Sequence, residues 1–213
     1  VQSDGGLIVA IISNAVTMAD AGAFSVSLGA MTHIKTLTAS SSANLQFVHG
    51  SSSVVFDGTY PIYMFKFIGL HPATDNSSFT YQVSTNGGTS YGVNTTTTYF
   101  RGQHEEDGSS SALTYVASDD IADDTGFIPL SEDCGNDNDQ NCSGTLMIFN
   151  PASTTFVKHW LNNMSATQRN DYAFNEFMAG YFNTTSAINA VKFEFGAGAI
   201  DAGLIKLYGI KDS

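Results

Sequence analysis

The carboxyl-terminal stretch, residues 187–211, constrains the fold more than any other part of this chain. Two runs in it, residues 191–195 and 204–208, alternate between apolar and other side chains, and a glycine-rich loop separates them. Alternation with a period of two is typical of a strand that is buried on one face, and glycines supply the turn. The chain is therefore predicted to end in a closing pair of strands, as a β-sandwich does.

The composition of the whole chain also favours strands. Of its 213 residues, 42% are hydrophobic, 12% are aromatic and only 13% are charged. Aromatic and β-branched residues suit a pleated surface, whereas long solvated helices need more Glu, Lys and Arg than this chain has. Short candidate strands separated by frequent turn signals predict an all-β fold, specifically a jelly-roll-like antiparallel β-sandwich.

Three segments carry specific structural predictions. Residues 60–70 are almost continuously apolar, which predicts a strand buried on both faces. The dipeptide Asn86-Gly87 is the strongest hairpin signal, since both central positions of a primed turn need a positive φ. Residues 162–175 are polar and predict a short helix or a long loop.

The amino-terminal residues read as a separate element. Residues 1–31 contain no Lys or Arg, and the apolar run at 7–12 is too short to span a bilayer, which takes about 20 residues. We divide the chain into an N-terminal strand arm, residues 1–44, packed on a partner or on the body, and a β-sandwich body, residues 45–213. The interface candidates in the arm are Leu7, Ile8, Ile11, Ile12 and Phe24.

The charge excludes two classes of partner. The net charge is −12, with 8 Lys and Arg against 20 Asp and Glu. Nucleic-acid binding requires a basic surface that neutralises phosphates, and anionic membranes attract basic segments in the same way. We therefore expect neither nucleic acid nor a membrane as a partner.

No motif in the sequence predicts catalysis. The five histidines form no helical pair of zinc ligands, and no nucleophile elbow, P-loop or dinucleotide fingerprint occurs. We expect no enzymatic activity and no catalytic residues. A hydrolase would need two converging carboxylates, but the candidates stand in acidic runs that are typical of a solvated face. These candidates are Glu105, Glu106, Asp119, Asp120, Asp123 and Asp124.

A polar loop between two cysteines offers two further candidate sites. Cys134 and Cys142 either close this loop as a disulfide or are two unrelated thiols, and the sequence leaves both open. Asp137, Asp139 and Asn141 place oxygen atoms at alternate positions, as a calcium site does. An Asx-turn loop explains the same residues, so calcium is the one candidate cofactor and no metal site is assigned.

Aromatic side chains are candidates for sugar stacking. Trp160 is the single tryptophan of the chain, and Tyr181 and Tyr208 lie in predicted strands near the carboxyl terminus. Their rings suit either a glycan-binding surface or the hydrophobic core. Both interpretations stay open at this point.

Several motifs stand in a fixed order along the body. They are residues 60–70 with the loop 71–75, residues 79–91, residues 144–151 followed by 154–159, residues 179–190 and residues 205–210. In these motifs the chain resembles structural proteins of tailed, marine-type bacteriophage virions, and the resemblance covers roughly residues 45–211.

The resemblance implies a virion component with a jelly-roll-like sandwich. The first expectation is a capsid decoration or cement protein that stabilises the shell by protein–protein contacts. The alternative is a tail fibre or a receptor- or glycan-binding module. The expected location is the virion, and the expected partners are further copies of the chain, with a trimer as a candidate, and major capsid or tail proteins.

Overall fold

The structure, a computed structural model, describes the backbone of residues 11–13 and 16–19 and all of residues 30–211. These ranges contain fifteen strands, one 3-10 helix (Ala117–Asp119) and no α-helix, so the prediction of an all-β fold is confirmed. The strands are β1 (Ile11–Ser13), β2 (Val16–Ala19), β3 (Met31–Thr38), β4 (Leu45–Val48), β5 (Ile62–Pro72), β6 (Ser77–Ser84), β7 (Thr95–Glu105), β8 (Ser111–Tyr115), β9 (Ala122–Asp124), β10 (Ile128–Cys134), β11 (Cys142–Phe149), β12 (Lys158–Gln168), β13 (Tyr172–Phe182), β14 (Ala190–Phe195) and β15 (Ile200–Ile210).

Eight of these strands form a jelly roll. Their pairing is nested along the chain and antiparallel throughout: β3 pairs with β15, β4 with β14, β5 with β11, and β6 with β10. Because β15 also pairs with β5 and β14 with β6, two four-stranded sheets result, with the orders β3-β15-β5-β11 and β4-β14-β6-β10. Nested pairing in two sheets is the double Greek key of a jelly roll.

Two insertions widen the first of these sheets. β12 pairs with β11 and forms a hairpin with β13, the far edge of β13 pairs with β7, and β7 pairs with β8 and β9. We call this extended sheet the large sheet, and β4-β14-β6-β10 the small sheet. A single pairing, of Cys134 with Gln168, joins the two sheets between β10 and β12.

Aromatic rings fill the space between the sheets. Phe193 of β14 lies with its ring centroid 5.0 Å from that of Phe65 and 5.3 Å from that of Phe67, both on the large sheet. Its ring also stacks on Phe79 of the small sheet at 5.9 Å. The alternation in residues 191–195 therefore has the physical cause expected of it, because every second side chain of β14 is fully or almost fully buried in this core.

β5 departs from its prediction as a strand buried on both faces. Tyr63, Phe65 and Phe67 point inward and are buried, but the other face carries Met64, which is half-buried, and Ile68, which is 45% exposed. The strand is almost continuously apolar because its outward positions up to Ile68, except Lys66, are also apolar, and no second layer among residues 30–211 covers them.

The polar segment 162–175 is neither a helix nor a long loop, because most of it lies in the β12–β13 hairpin. Burial alternates along β12, so Trp160, Asn162 and Met164 face the interior. Asn162 masks the alternation in the sequence, since a polar residue occupies an inward position. Its side-chain amide donates a hydrogen bond to the backbone carbonyl of Leu130 at 2.8 Å, which compensates the burial of its nitrogen, whereas its buried Oδ1 accepts no hydrogen bond from the described residues.

Two predicted strand pairings are wrong. β6 pairs with β14 and β10 instead of forming a hairpin through Asn86-Gly87, and the positive φ angles belong to Gly87 and Gly88, one residue later than a primed turn needs. The N–H of Gly87 donates to Asn189 at 2.7 Å, which ties the loop to the segment before β14. The runs 191–195 and 204–208 lie in different sheets, because nested pairing places β14 and β15 in opposite sheets.

Residues 31–44, predicted as part of the arm, belong to the body. β3 pairs with β15 along its length, and Ser42 bridges to Ile200, so residues 31–44 complete the jelly roll. Of the predicted arm, the structure describes only the backbone of β1 and β2, which pair with each other. The side chains of all five interface candidates lie outside the described part of the chain. These candidates are Leu7, Ile8, Ile11, Ile12 and Phe24.

Gly180 of β13 provides a test of this packing. A Cβ at this position would lie 2.6 Å from the ring of Trp160 and 2.5 Å from the carbonyl oxygen of Thr96. We expect Gly180→Ala to lower the free energy of unfolding by about 1–3 kcal/mol, measured by chemical denaturation. The matched control is Gly102→Ala, because no atom lies within 4 Å of that Cβ position, and it should be at least as stable as wild type. Unchanged stability of Gly180→Ala would contradict the packing described.

Candidate functional site

The outward-facing surface of the large sheet is rich in apolar side chains. The strand register aligns Tyr208, Met64, Met147, Leu161 and Ala179 in one row across β15, β5, β11, β12 and β13. One flanking row runs through Ile210 and includes Met31. The other runs through Lys206 and includes Lys66, Asn163, Phe177 and Phe100. We call these three rows the outer face. Antiparallel sandwiches usually present polar side chains on such a face, so an apolar one indicates a surface that contacts something else.

The exposed large apolar side chains of residues 30–211 concentrate on this side of the molecule. Seven of the eight point outward from the large sheet, and the eighth lies on the connection before β12. Leu161 is 47% exposed and Phe100 is 45% exposed, although both lie within the sheet. The seven are Met31, Ile68, Phe100, Leu113, Tyr115, Leu161 and Phe177.

A ridge and a groove lie side by side on the outer face. The rings of Phe100 and Phe177, on neighbouring strands, stack with centroids 5.1 Å apart and an interplanar angle of 12°. They border a groove of about 320 Å³ that is also lined by Met147, Leu161 and Ala179. Both features are preformed by the rigid β11-β12-β13-β7 segment of the sheet.

The outer face carries positive but no negative charge. Its three rows include Lys66 and Lys206, which lie opposite each other on β5 and β15, and contain no Asp or Glu. The chain as a whole has 20 Asp and Glu. The acidic residues therefore lie elsewhere, and the outer face has a different electrostatic character from the rest of the body.

The small sheet has the opposite kind of outer face. Its outward side chains are polar, and a loop covers them: Gln82 is fully buried and donates to the carbonyls of Thr125 at 3.1 Å and Gly126 at 2.8 Å. Lys192 lies 4.5 Å from the Phe127 ring. Among residues 30–211, the polar face of the small sheet is thus covered, whereas no element covers the outer face of the large sheet.

A second unusual feature is a polar cluster in the interior, centred on Glu176. This side chain is fully buried and accepts hydrogen bonds from Tyr99 Oη at 2.8 Å, from the Glu132 N–H at 2.9 Å and from Ser131 Oγ. Arg101 lies 3.0 Å from the Glu132 carboxylate. Arg101 also donates to Tyr99 Oη at 3.4 Å, so the guanidinium contacts the Glu132 carboxylate directly and reaches Glu176 only through Tyr99.

Burial sets the protonation of this cluster. It raises the pKa of Glu176 to about 7, against hydrogen bonds from Ser131, the Glu132 backbone and Tyr99 that favour the carboxylate. Burial, with a contribution from Asp119, also raises the pKa of Glu132 to about 9, although Arg101 opposes the shift. Since the single guanidinium contacts only one of the two buried carboxyl groups, the cluster retains a proton near neutral pH.

Sequence reasoning missed Glu176. The available signal was the alternation of Phe174, Glu176 and Met178 along β13, which places a carboxyl group on a buried face. Glu176 has no exposed surface, so a substrate in solvent does not reach it. The cluster is therefore suited to fixing β7, β10 and β13 together.

Cys134 and Cys142 are both free and fully buried. The Cys134 thiol donates to Ser131 Oγ at 3.4 Å. A hydrogen bond with Cys134, together with burial, raises the pKa of the Cys142 thiol. The sequence left a disulfide and two unrelated thiols open, and the structure has two neighbouring free thiols instead.

The predicted cation loop is exposed. Asp137, Asp139 and Asn141 all face solvent, and the Asp137 carbonyl accepts the Gln140 N–H at 2.9 Å, so the loop forms a turn. Among residues 30–211, no group of three or more His, Cys, Asp and Glu side chains is arranged to hold a metal ion. Calcium binding stays a prediction from the sequence.

The acidic loops bring some of the predicted carboxylates together at the surface. Glu105 and Glu106 line an open depression with Asp107, Asp139 and Asp171. The Glu105 carboxylate accepts a hydrogen bond from Tyr172 Oη at 2.9 Å. Asp123 and Asp124 are exposed on β9, so the structure does not bring them into a cleft with a buried partner.

The predicted sugar-stacking role of Trp160 is wrong, because its side chain is fully buried and its ring lies 5.5 Å from that of Tyr81 in the core. Tyr181 and Tyr208 are partly exposed on the outer face, beside His159 and His33 respectively. The aromatic residues most exposed on the large sheet, Phe100 and Tyr115, were not among the predicted ones.

Comparison with known proteins gives no relative. No family model matches the chain, and it has no significant match among curated proteins or solved structures. In the described part of the chain, a helix of the length and apolar character needed to cross a membrane does not occur. The likeness to phage structural proteins therefore stays a prediction from the sequence motifs.

The Glu176 cluster predicts a specific pH dependence of stability. Its folded pKa of about 7 lies above the usual value of 4.5 for Glu, so the folded state binds this proton more tightly than the unfolded state. The stabilisation is complete below about pH 4.5 and is lost as the pH rises through about 7, with a size on the order of 3 kcal/mol.

Chemical denaturation across pH 4–9 measures this effect. The unfolding free energy of wild type minus that of Glu176→Gln should decrease as the pH rises, because only wild type loses the proton. Glu106→Gln makes the same change at an exposed position, and its profile should parallel that of wild type. A constant difference between wild type and Glu176→Gln would show that the site does not titrate in this range.

Proposed function

We propose that this chain is a non-enzymatic structural component of a phage virion, a capsid decoration or cement protein that stabilises the shell by protein–protein contacts. The observation that carries the proposal is an outer face that is rich in apolar side chains and uncovered by any element of residues 30–211, on an otherwise acidic jelly roll. Exposed apolar surfaces of this extent, on a body whose other sheet face is covered, are typical of interaction sites.

The chemistry of the outer face supports a role in assembly. Protein interfaces are enriched in aromatic residues and methionine and depleted in acidic residues, and the three rows share these properties through Phe100, Phe177, Met64 and Met147. Strand register fixes these side chains on a rigid sheet, so little ordering is needed on binding. The expected partners are further copies of the chain and major capsid or tail proteins.

Immunogold electron microscopy tests the location. An antibody raised against the purified chain should label the heads of intact virions of the phage that encodes it, in a regular pattern across the shell. Virions from which the gene has been deleted provide the control and should show no label. Absence of label on heads and tails of wild-type virions would contradict a virion role.

A tail fibre or glycan-binding module is the second candidate. It is favoured by one observation: the exposed rings of Phe100, Phe177 and Tyr115 share a row with the side-chain amide of Asn163, and sugars bind to rings that have amides beside them.

A glycan array probed with the purified chain distinguishes the two candidates. Under this second function, a small set of related glycans should bind, and Phe100→Ala should abolish their binding. The expectation under the first proposal is an array without specific hits and label on heads instead of tails.

A further inference from the structure

We propose that the outer face is where two copies of this chain meet, with the Phe100–Phe177 ridge of each copy lying in the groove of the other. The inference rests on the proposed function and deepens it, because it names a second copy as the partner of this surface. Charge, area and shape each support a second copy as the occupant.

Charge limits where two copies can approach each other. Each copy carries a net charge of −12, so most of its surface repels another copy. The outer face is different, because its three rows have no Asp or Glu and hold Lys66 and Lys206. Face-to-face contact therefore brings no carboxylates of these rows together.

The area of the outer face is in the range that a stable pair needs. Seven adjacent strands contribute to it, in the order β3-β15-β5-β11-β12-β13-β7. With strands about 4.8 Å apart and rows about 6.8 Å apart, three rows cover about 700 Å². Standard interfaces bury roughly 600–1,000 Å² on each partner, and the outer face falls within this range.

The shape of the outer face is self-complementary. A contact between two identical copies across a two-fold axis requires that one patch hold both a projection and a recess that receives it. The stacked rings of Phe100 and Phe177 are the projection, and the adjoining groove over Met147, Leu161 and Ala179 is the recess. Because they adjoin, a two-fold axis between them brings each ridge onto the opposite groove.

Sedimentation velocity of the full chain, from about 1 to 100 µM, tests this inference with two substitutions and a matched control. Leu161→Asp places a carboxylate in the groove, and Phe177→Thr removes half of the ridge without adding charge. Both positions are exposed, at 47% and 38%, so the fold should tolerate the changes. The control is Ala43→Asp, which adds the same charge at an exposed position just before β4.

The wild type and Ala43→Asp should self-associate with the same Kd. Leu161→Asp and Phe177→Thr should raise that Kd at least about tenfold, while their circular dichroism spectra and melting temperatures stay near those of wild type. If Leu161→Asp unfolds, Phe177→Thr decides the outcome.

Three results would overturn the inference. The first is a wild type that is monomeric at 100 µM, as expected if residues 1–29 or a capsid protein occupy the outer face. The others are outer-face variants that associate like wild type, and an Ala43→Asp variant whose association is weakened equally. The virion labelling separates this inference from the proposed function. A monomer that labels heads overturns only the pairing, and an oligomer that dissociates as expected but labels no virions overturns only the function.

Discussion

The contact of Phe193 with rings from both sheets is the interaction on which the rest of the structure depends. It touches Phe65 and Phe67 across the sandwich and Phe79 and Tyr81 within the small sheet, at centroid distances between 5.0 and 6.1 Å. Aromatic pairs contribute beyond the area that they bury, so this cluster fixes the spacing and the relative position of the sheets. All other features of the molecule are arranged around that fixed pair of layers.

The two faces of the large sheet solve different problems. Its inner face covers the aromatic core. The same face covers the Glu176 cluster, where each buried oxygen of Glu176 accepts a hydrogen bond. Its outer face has no covering element among the described residues, yet its side chains are as apolar as many in the core. An apolar surface of this size raises the free energy of an isolated copy in water, and contact with a partner removes that cost.

The sequence predicted the class of fold because alternation with a period of two reports directly on one-sided burial. It failed where a residue at an inward position was polar, as at Asn162, and where an outward position was apolar, as at Ile68. Pairing partners were not predictable from Asn86-Gly87 or from the terminal runs, since nested pairing joins strands far apart in the chain. The candidate site escaped prediction for the same reason: Phe100, Leu161 and Phe177 become neighbours only once the register of β7, β12 and β13 is known.

Hydroxyl-radical footprinting of the intact chain at increasing concentration tests most directly whether the outer face is a contact surface. Oxidation of Phe100, Met147 and Phe177 should fall as the concentration rises, whereas oxidation of Phe156, an exposed ring on the connection before β12, should stay constant. Oxidation of the outer-face residues that does not change with concentration, in a chain that retains its strand content, would contradict the account.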